Sequence, residues 1–314
     1  MDAATSSNHS IELTNLTFIR IRSKMNFPND DIAVSHNKRP IEWPIAVVIF
    51  LFQVIPIFIF FIEIPAWCWV VGFLFFVIRL SFVGICYHRY FSHRSFKTSR
   101  LFQFFMALGS VLSFQGGVLR WASMHRAHHK FSDTKKDLHS PIIYGFLESH
   151  ILWVIRKYDF DDSNIKDLTR FPELVWLERL WMLPSLIVAT LFFIIGGWPL
   201  LLVGFFLSTT ILYHMTWSIN SIDHIFGTTR FPTKDHSKNN FIFALLTLGE
   251  GWHNNHHYYP SSARNGFYWY EIDISFYIIC VLKMLGIVWD VKNVPTYVLE
   301  KKEFKQIAGD MKSQ

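Results

Sequence analysis

Three groups of closely spaced histidines carry most of the chemical information in this sequence. They are His88-Arg-Tyr-Phe-Ser-His93, His125-Arg-Ala-His128-His129 and His253-Asn-Asn-His256-His257. Residues at i, i+3 and i+4 share one face of an α-helix, so the second and third groups are each predicted to direct three imidazoles to one point. The i, i+5 step of the first group does not suit a single α-helical face, and we expect it where a helix ends and frays.

The number of histidines predicts a centre with two metal ions. Imidazole nitrogen binds iron, zinc, copper and nickel. One zinc ion takes four protein ligands at most, whereas eight histidines fit two ions with four or five nitrogen ligands each. The groups contain no cysteine or carboxylate, so electron-transfer copper and iron–sulfur clusters match poorly. Two iron ions with dioxygen as co-substrate match best, and zinc would bind the same imidazoles by substitution.

The repeated spacing separates these groups from His-rich surface tracts, which also bind metal. The lone histidines that receive no role are His9, His36, His150, His214 and His236. The carboxylates Asp133, Asp137 and Glu250 are candidates to orient ligand imidazoles, and each is equally well explained as a helix cap or a surface charge. No catalytic residue is predicted beyond the metal ligands.

The composition places this centre in a membrane protein. Hydrophobic residues make up 51% and charged residues 17% of the 314 residues, and soluble domains carry roughly 25% charged residues. Apolar segments at about 43–62, 66–86, 181–195 and 198–217 are predicted to span the membrane in two hairpins. The predicted fold is therefore all-α, with four transmembrane helices and a cytosolic helical cap that holds the His-rich site. An apolar membrane substrate offers little chemistry other than oxidation, which favours iron with dioxygen.

The positive charges predict the orientation. The N-terminal segment 1–40, the loop 87–180 and the part from 218 onwards share one side and carry the Lys and Arg, whereas the two opposite loops carry none. The positive-inside rule makes the shared side cytoplasmic. The net charge of +6 is thus assigned to an anionic membrane surface rather than to nucleic acid. One membrane domain is expected at 41–295, followed by a basic tail at 296–314.

One further apolar stretch, and one charge inside a predicted span, bear on the membrane arrangement. The interrupted stretch 100–118 is predicted to be an interfacial or half-inserted helix rather than a fifth span. Arg79, the one charge inside the second span, is expected either to face the bundle interior or to snorkel to the interface, which is within its reach, and it receives no role.

The three groups resemble the histidine boxes of the membrane fatty-acid desaturases, in particular the delta-9 type that includes stearoyl-CoA desaturases and bacterial acyl-lipid enzymes. Box order, internal spacing and hairpin topology agree over roughly 40–295. The resemblance implies a non-haem di-iron enzyme that introduces a cis double bond, at delta-9, into a saturated acyl chain. The Asn254-Asn255 pair inside the third box favours a bacterial member, and hence the bacterial inner membrane.

The resemblance also implies roles outside the boxes. His224 corresponds to the family's ninth histidine ligand, and Asn220, one helical turn earlier, to an asparagine that holds a water on the other iron. Trp121, Thr216 and Trp217 correspond to residues that line the family's bent acyl tunnel.

Two features concern the substrate and the electron donor. Ser123-Met124 stands where acyl-CoA enzymes of animals carry Arg-Asp, so acyl-CoA and acyl-lipid substrates both remain open. No histidine follows His257, so the haem ligands of a fused cytochrome b5 domain are missing. A separate donor of ferredoxin or cytochrome b5 type, with its reductase, is therefore expected.

Two other functions compete. A hydroxylase on the same di-iron scaffold needs the same ligands and differs in whether the substrate radical gains oxygen or loses a second hydrogen. A membrane metal carrier needs polar ligands inside the spans, and there the predicted spans offer His214 but no Asp or Glu.

Overall fold

Helices predominate in the structure, a computed structural model that describes residues 39–158 and 161–300. The first helices are α1 (Trp43–Val54), α2 (Ala66–Phe82), α3 (Arg100–Val111), α4 (Val118–Phe131), α5 (Pro141–Tyr144) and α6 (Phe146–His150). They are followed by α7 (Lys166–Thr169), α8 (Pro172–Arg179), α9 (Met182–Leu200), α10 (Ser208–Ser221), α11 (Phe241–Leu246), α12 (His253–Tyr258) and α13 (Ile274–Met284). Apart from residues 39–40 and 296–300, the predicted N-terminal segment and C-terminal tail lie outside the described residues, as do His9 and His36.

Shorter elements complete the architecture. The 3₁₀ turns are Ile55–Phe61, Leu152–Ile155, Asp162–Ile165 and Ile222–His224, and the π-helical segments are Val83–Ser92 and Leu201–Leu207. The strands β1 (Lys97–Thr98) and β2 (Val288–Trp289) pair antiparallel, with Lys97 opposite Trp289. This small ribbon joins the chain after the first histidine group to the chain after α13.

Three helical runs among the described residues are long and apolar enough to cross a membrane: Trp43–Phe61, Ala66–Ser92 and Met182–His224. The first two cover the first two predicted spans to within one residue. The third run has 43 residues and covers both of the remaining predicted spans to within one residue.

The third run does not continue straight. Gly197 has φ 59° and ψ −153°, which lies outside the helical region. A Cβ atom at Gly204 would lie 2.8 Å from the ring of Phe192. In a straight helix these two positions would be about 18 Å apart. The chain therefore folds back at Gly197, the position of the predicted connection.

Arg79 faces neighbouring helices rather than an interface. The side chain is fully buried and donates hydrogen bonds to Ser208 Oγ at 2.6 Å and Thr209 Oγ1 at 2.7 Å. Its guanidinium lies 4.1 Å from the ring centroid of Phe75. Of the two expected placements the structure has the bundle interior, because hydroxyls at the start of α10 satisfy the guanidinium there.

The interrupted apolar stretch is shorter than predicted. Helix α3 ends at Val111, and the backbone then takes positive φ at Phe114 (60°) and Gly116 (101°). Twelve helical residues measure about 18 Å, which is less than the hydrocarbon thickness of a bilayer. This part of the chain is therefore one short helix and a turn that leads into α4.

Candidate metal centre

The first histidine pair lies on a π-helix. The segment Val83–Ser92 continues from α2 with π winding, and the N–H of His93 donates to the carbonyl of His88 at 3.3 Å. In a π-helix, residues i and i+5 are neighbours on one face. The two imidazole centroids are accordingly 5.0 Å apart. The pair lies at the end of a helix, as expected, with His93 as the C-cap residue, but this end is not frayed, because π winding retains the backbone hydrogen bonds.

Helix α4 presents its histidines to two sides. The Nε2 atom of His125 is 2.8 Å from that of His93 and 3.0 Å from that of His129. His128 points away from this trio, because one residue along an α-helix turns the side chain by about 100°. The predicted helix is present, but the prediction that all three imidazoles converge was wrong.

An arginine inside the second histidine group fixes α4 against the π-helix. Arg126 donates to the carbonyls of Phe91 and Ser92, both at 2.8 Å, and pairs with Asp167 at 2.6 Å. These carbonyls belong to the last turn before His93. Arg126 thus sets the distance between the first two histidine groups.

Helix α12 repeats the division seen in α4. His253 and His257, four residues apart, face the same side as His128, and His256 faces the side of His93. Asn254 and Asn255 point away and anchor the helix: Asn254 Oδ1 accepts the N–H of Phe231 at 2.7 Å, and Asn255 Nδ2 donates to Glu271 at 2.8 Å. The asparagines of the third group therefore position its histidines.

The nine predicted histidine ligands form two groups in space. The five-histidine group contains His88, His93, His125, His129 and His256. The four-histidine group contains His128, His224, His253 and His257. Within each group the candidate ligand nitrogens all lie within 4.8 Å of one another.

Carboxylates fix which nitrogen of several rings faces inward. The Nδ1–carboxylate pairs are His128–Asp137 (3.0 Å), His224–Asp133 (3.0 Å) and His257–Asp235 (2.8 Å). A neutral imidazole that donates from Nδ1 carries its lone pair on Nε2. The buried Nε2 atoms of His128 and His257 have no hydrogen-bond partner among the described residues. Nitrogen lone pairs that point at one another with no proton between them are stabilised by a cation. The histidine nitrogens of each group therefore fit a metal ion.

Burial and mutual repulsion keep most of these rings neutral. Burial first, and then the neighbouring imidazoles, hold six histidine pKa values well below the ordinary range: those of His93, His125, His129, His253, His256 and His257. A neutral imidazole is the form that binds a metal ion.

The five-histidine group has a different support. Glu250 contacts His88 Nδ1 closely and also accepts from Arg89 at 2.8 Å. Arg89 is almost fully buried and pairs with Asp273 at 2.9 Å. A buried cation therefore holds the carboxylate that orients His88.

The sequence identified Asp133, Asp137 and Glu250 as possible orienting groups, but it missed Asp235 and His139. Asp235 lies 22 residues before the ring that it contacts, and no spacing rule connects them. His139 lies against His128, with ring centroids 4.4 Å apart, and lines the cavity described below. Its proximity to Asp137, two residues earlier, was the available signal.

Asp137→Asn tests the orienting role. The buried carboxylate accepts from His128 Nδ1 at 3.0 Å and from the N–H of Asp133 at 2.9 Å. The neutral amide keeps the shape but is a weaker acceptor, so we expect metal affinity or activity to fall by about 10–100-fold. Metal titration of the purified variant measures this, with Asp162→Asn at an exposed position as control. Unchanged affinity would assign Asp137 a purely structural role.

An apolar cavity of about 220 Å³ opens beside both groups. Its lining includes Trp121, Thr216, Trp217 and Asn220, together with His88, His125 and His253. Trp121 stacks on His125 at a centroid distance of 5.0 Å, and Thr216 Oγ1 accepts from Gln115 at 2.9 Å. The structure thus places the predicted substrate residues and Asn220 in the lining of one cavity.

Comparison with known proteins identifies the class. A family model described as fatty acid desaturase matches residues 65–274, which is more than half of the 314 residues. The chain therefore belongs to the fatty acid desaturase family, as the resemblance of its histidine groups predicted.

Three individual desaturases show how similar this chain is to known proteins. A probable chloroplastic lipid desaturase of Arabidopsis thaliana is 41% identical over 222 residues, covering 68% of this chain and 61% of that protein. An acyl-CoA 5-desaturase of Anemone leveillei is 40% identical over 232 residues, covering 72% of each chain. The sn-1 stearoyl-lipid 9-desaturase of Synechocystis sp. is 34% identical over 283 residues, covering 86% of this chain and 87% of that one. The chain thus spans about six tenths of the first relative. These relatives come from two plants and a cyanobacterium, so a bacterial origin stays a prediction.

Proposed function

We propose that this chain uses dioxygen to desaturate a saturated fatty acyl chain at a di-iron centre. The observation that carries the proposal is the pair of histidine groups, with inward-facing Nε2 atoms, beside one apolar cavity. The five-histidine and four-histidine groups would each hold one iron ion. Asn220 would hold a water on the iron of the five-histidine group, and His224 belongs to the other group.

Bound iron would supply the oxidising power that removes hydrogen from unactivated methylene groups. The described residues supply position. The carboxylates hold the imidazoles in one tautomer. Trp121, Thr216 and Trp217 line the cavity and would fix which methylene pair faces the metals, and a fixed geometry lowers the barrier to reaction.

The membrane arrangement supports a lipid substrate. The runs Trp43–Phe61 and Ala66–Ser92, and the two halves of Met182–His224 around Gly197, would make four crossings. The histidine groups would then lie in a cytosolic cap at the membrane surface. A cis bond at delta-9 is favoured by the family resemblance and by the 9-desaturase name of the Synechocystis relative. Acyl-lipid and acyl-CoA forms are both represented among the relatives.

Expression in a desaturase-deficient host tests the reaction. We expect new cis-monounsaturated acyl chains in the host lipids, and none with His253→Ala, because that ring belongs to the four-histidine group. Mass spectrometry of the lipids gives the bond position. Hydroxylated chains in place of unsaturated ones would assign the hydroxylase function. No product from a chain that holds two iron ions and receives reductant would contradict the proposal.

A further inference from the structure

The four-histidine group is connected to the surface by two short paths. His236 has an exposed side chain, and its backbone N–H donates at 2.8 Å to Asp133, which accepts from His224 Nδ1 at 3.0 Å. The neighbouring Asp235 accepts from His257 Nδ1 at 2.8 Å. One carboxylate therefore separates the surface loop around His236 from each of two candidate ligands.

The five-histidine group lacks such a path through its carboxylate. Glu250, which contacts His88, is buried and is bonded to the buried Arg89. The paths through carboxylates from the loops around Asp133 and Asp235 therefore lead to the four-histidine group.

Exposed lysines lie within three residues of Asp133 or Asp235 in the chain. We define the lysine patch as Lys130, Lys135, Lys136 and Lys234, all exposed. None of the four forms an ion pair within residues 39–158 and 161–300. The ring of Phe131, partly exposed, lies 5.1 Å from Lys130 Nζ and 5.6 Å from Lys136 Nζ. Unpaired positive charge around an aromatic side chain fits a partner with a negatively charged face.

We propose that the lysine patch is the docking surface of an acidic one-electron carrier protein. The inference rests on the proposed function. Desaturation of –CH₂–CH₂– by O₂ gives –CH=CH– and two H₂O, and it needs two electrons and two protons beyond the two hydrogens of the substrate. The carrier is oxidised twice per double bond, and solvent supplies the protons. The patch attracts the carrier, and the loops of Asp133 and Asp235 place it over the four-histidine group.

Charge reversal tests the docking surface. Turnover is measured with reduced [2Fe–2S] ferredoxin and, separately, with reduced cytochrome b5. The proteins compared are the reconstituted wild type, the double variant Lys135→Glu/Lys136→Glu and the single variant Lys234→Glu. We expect the half-saturating carrier concentration to rise by about tenfold or more in the double variant at low salt. Exposed charges at the edge of an interface mainly govern how fast two proteins associate. The difference should shrink as salt screens the charges. The control is Lys166→Glu/Lys283→Glu, which makes the same change at exposed positions outside the patch.

A small-molecule redox mediator separates the two proposals. Turnover with mediator should be equal in wild type and variants, because the patch residues lie outside the metal groups. If wild type fails with mediator as well as carriers, the proposed function fails. If mediator supports turnover but neither acidic carrier does, or if patch and control variants respond alike, the docking proposal fails. A patch effect seen only in vesicles that contain phosphatidylglycerol, and not in phosphatidylcholine alone, would assign the lysines to the membrane instead.

Discussion

His128→Ala should abolish desaturation and remove one of two bound metal ions. His128 is 1% exposed, and its Nε2 atom has no hydrogen-bond partner among the described residues. It belongs only to the four-histidine group, so the five-histidine group keeps its full ligand set. Removing a ligand itself should cost more than the roughly 10–100-fold that loss of an outer hydrogen-bond partner costs. Metal analysis of the purified protein should fall from two ions to about one.

His236→Ala is the matched control for this result. It deletes the same ring at an exposed position, and only the backbone N–H of His236 reaches Asp133. Metal content and desaturation should therefore stay close to wild type. Two retained ions in His128→Ala would show that this ring is not a ligand, whatever happened to activity.

Arg89→Met should have the largest effect on stability. The guanidinium is 1% exposed and bonds Glu250 at 2.8 Å, Asp273 at 2.9 Å and the carbonyl of Ala263 at 2.7 Å. Methionine has a similar length but leaves two buried carboxylates without their cation. Breaking a buried ion pair from one side costs about 3–5 kcal/mol. A thermal unfolding scan in detergent should show a much lower midpoint.

Arg100→Met provides the comparison. Arg100 pairs with Glu173 at 2.7 Å, but its side chain is 65% exposed. An exposed ion pair contributes about 0–1 kcal/mol, so the midpoint should scarcely move. Equal shifts in the two variants would mean that the Arg89 cluster is not a buried stabilising network.

The sequence predicted the helices that carry the histidines better than the division of the rings into two groups. Helical spacing in the second and third histidine groups is confirmed by α4 and α12. However, the face of an α-helix that carries residues i, i+3 and i+4 is broad, and the sequence spacing does not show that these side chains can point to different sites. Each helix here lies between two clusters, so His128 and His129 diverge although they are adjacent. Only the packing of other helices on both sides determines that outcome.

Contacts between residues far apart in the chain were also not predicted from the sequence. Asp235 and His257 meet because the loop before α11 folds over α12, and nothing local to either residue encodes that meeting. The bend at Gly197, in contrast, follows from a local signal. The glycine pair between two predicted apolar segments sufficed to place it.

In the π-helix at the first histidine pair, the number of residues between His88 and His93 determines the direction in which the second ring points. A π-turn holds one residue more than an α-turn, so relative to an uninterrupted α-helix it shifts the chain beyond it by about 100°. Between His88 and His93 this offset turns the second ring back over the first. The number of residues in that interval is therefore fixed, because a shortened interval would turn His93 away from the five-histidine group.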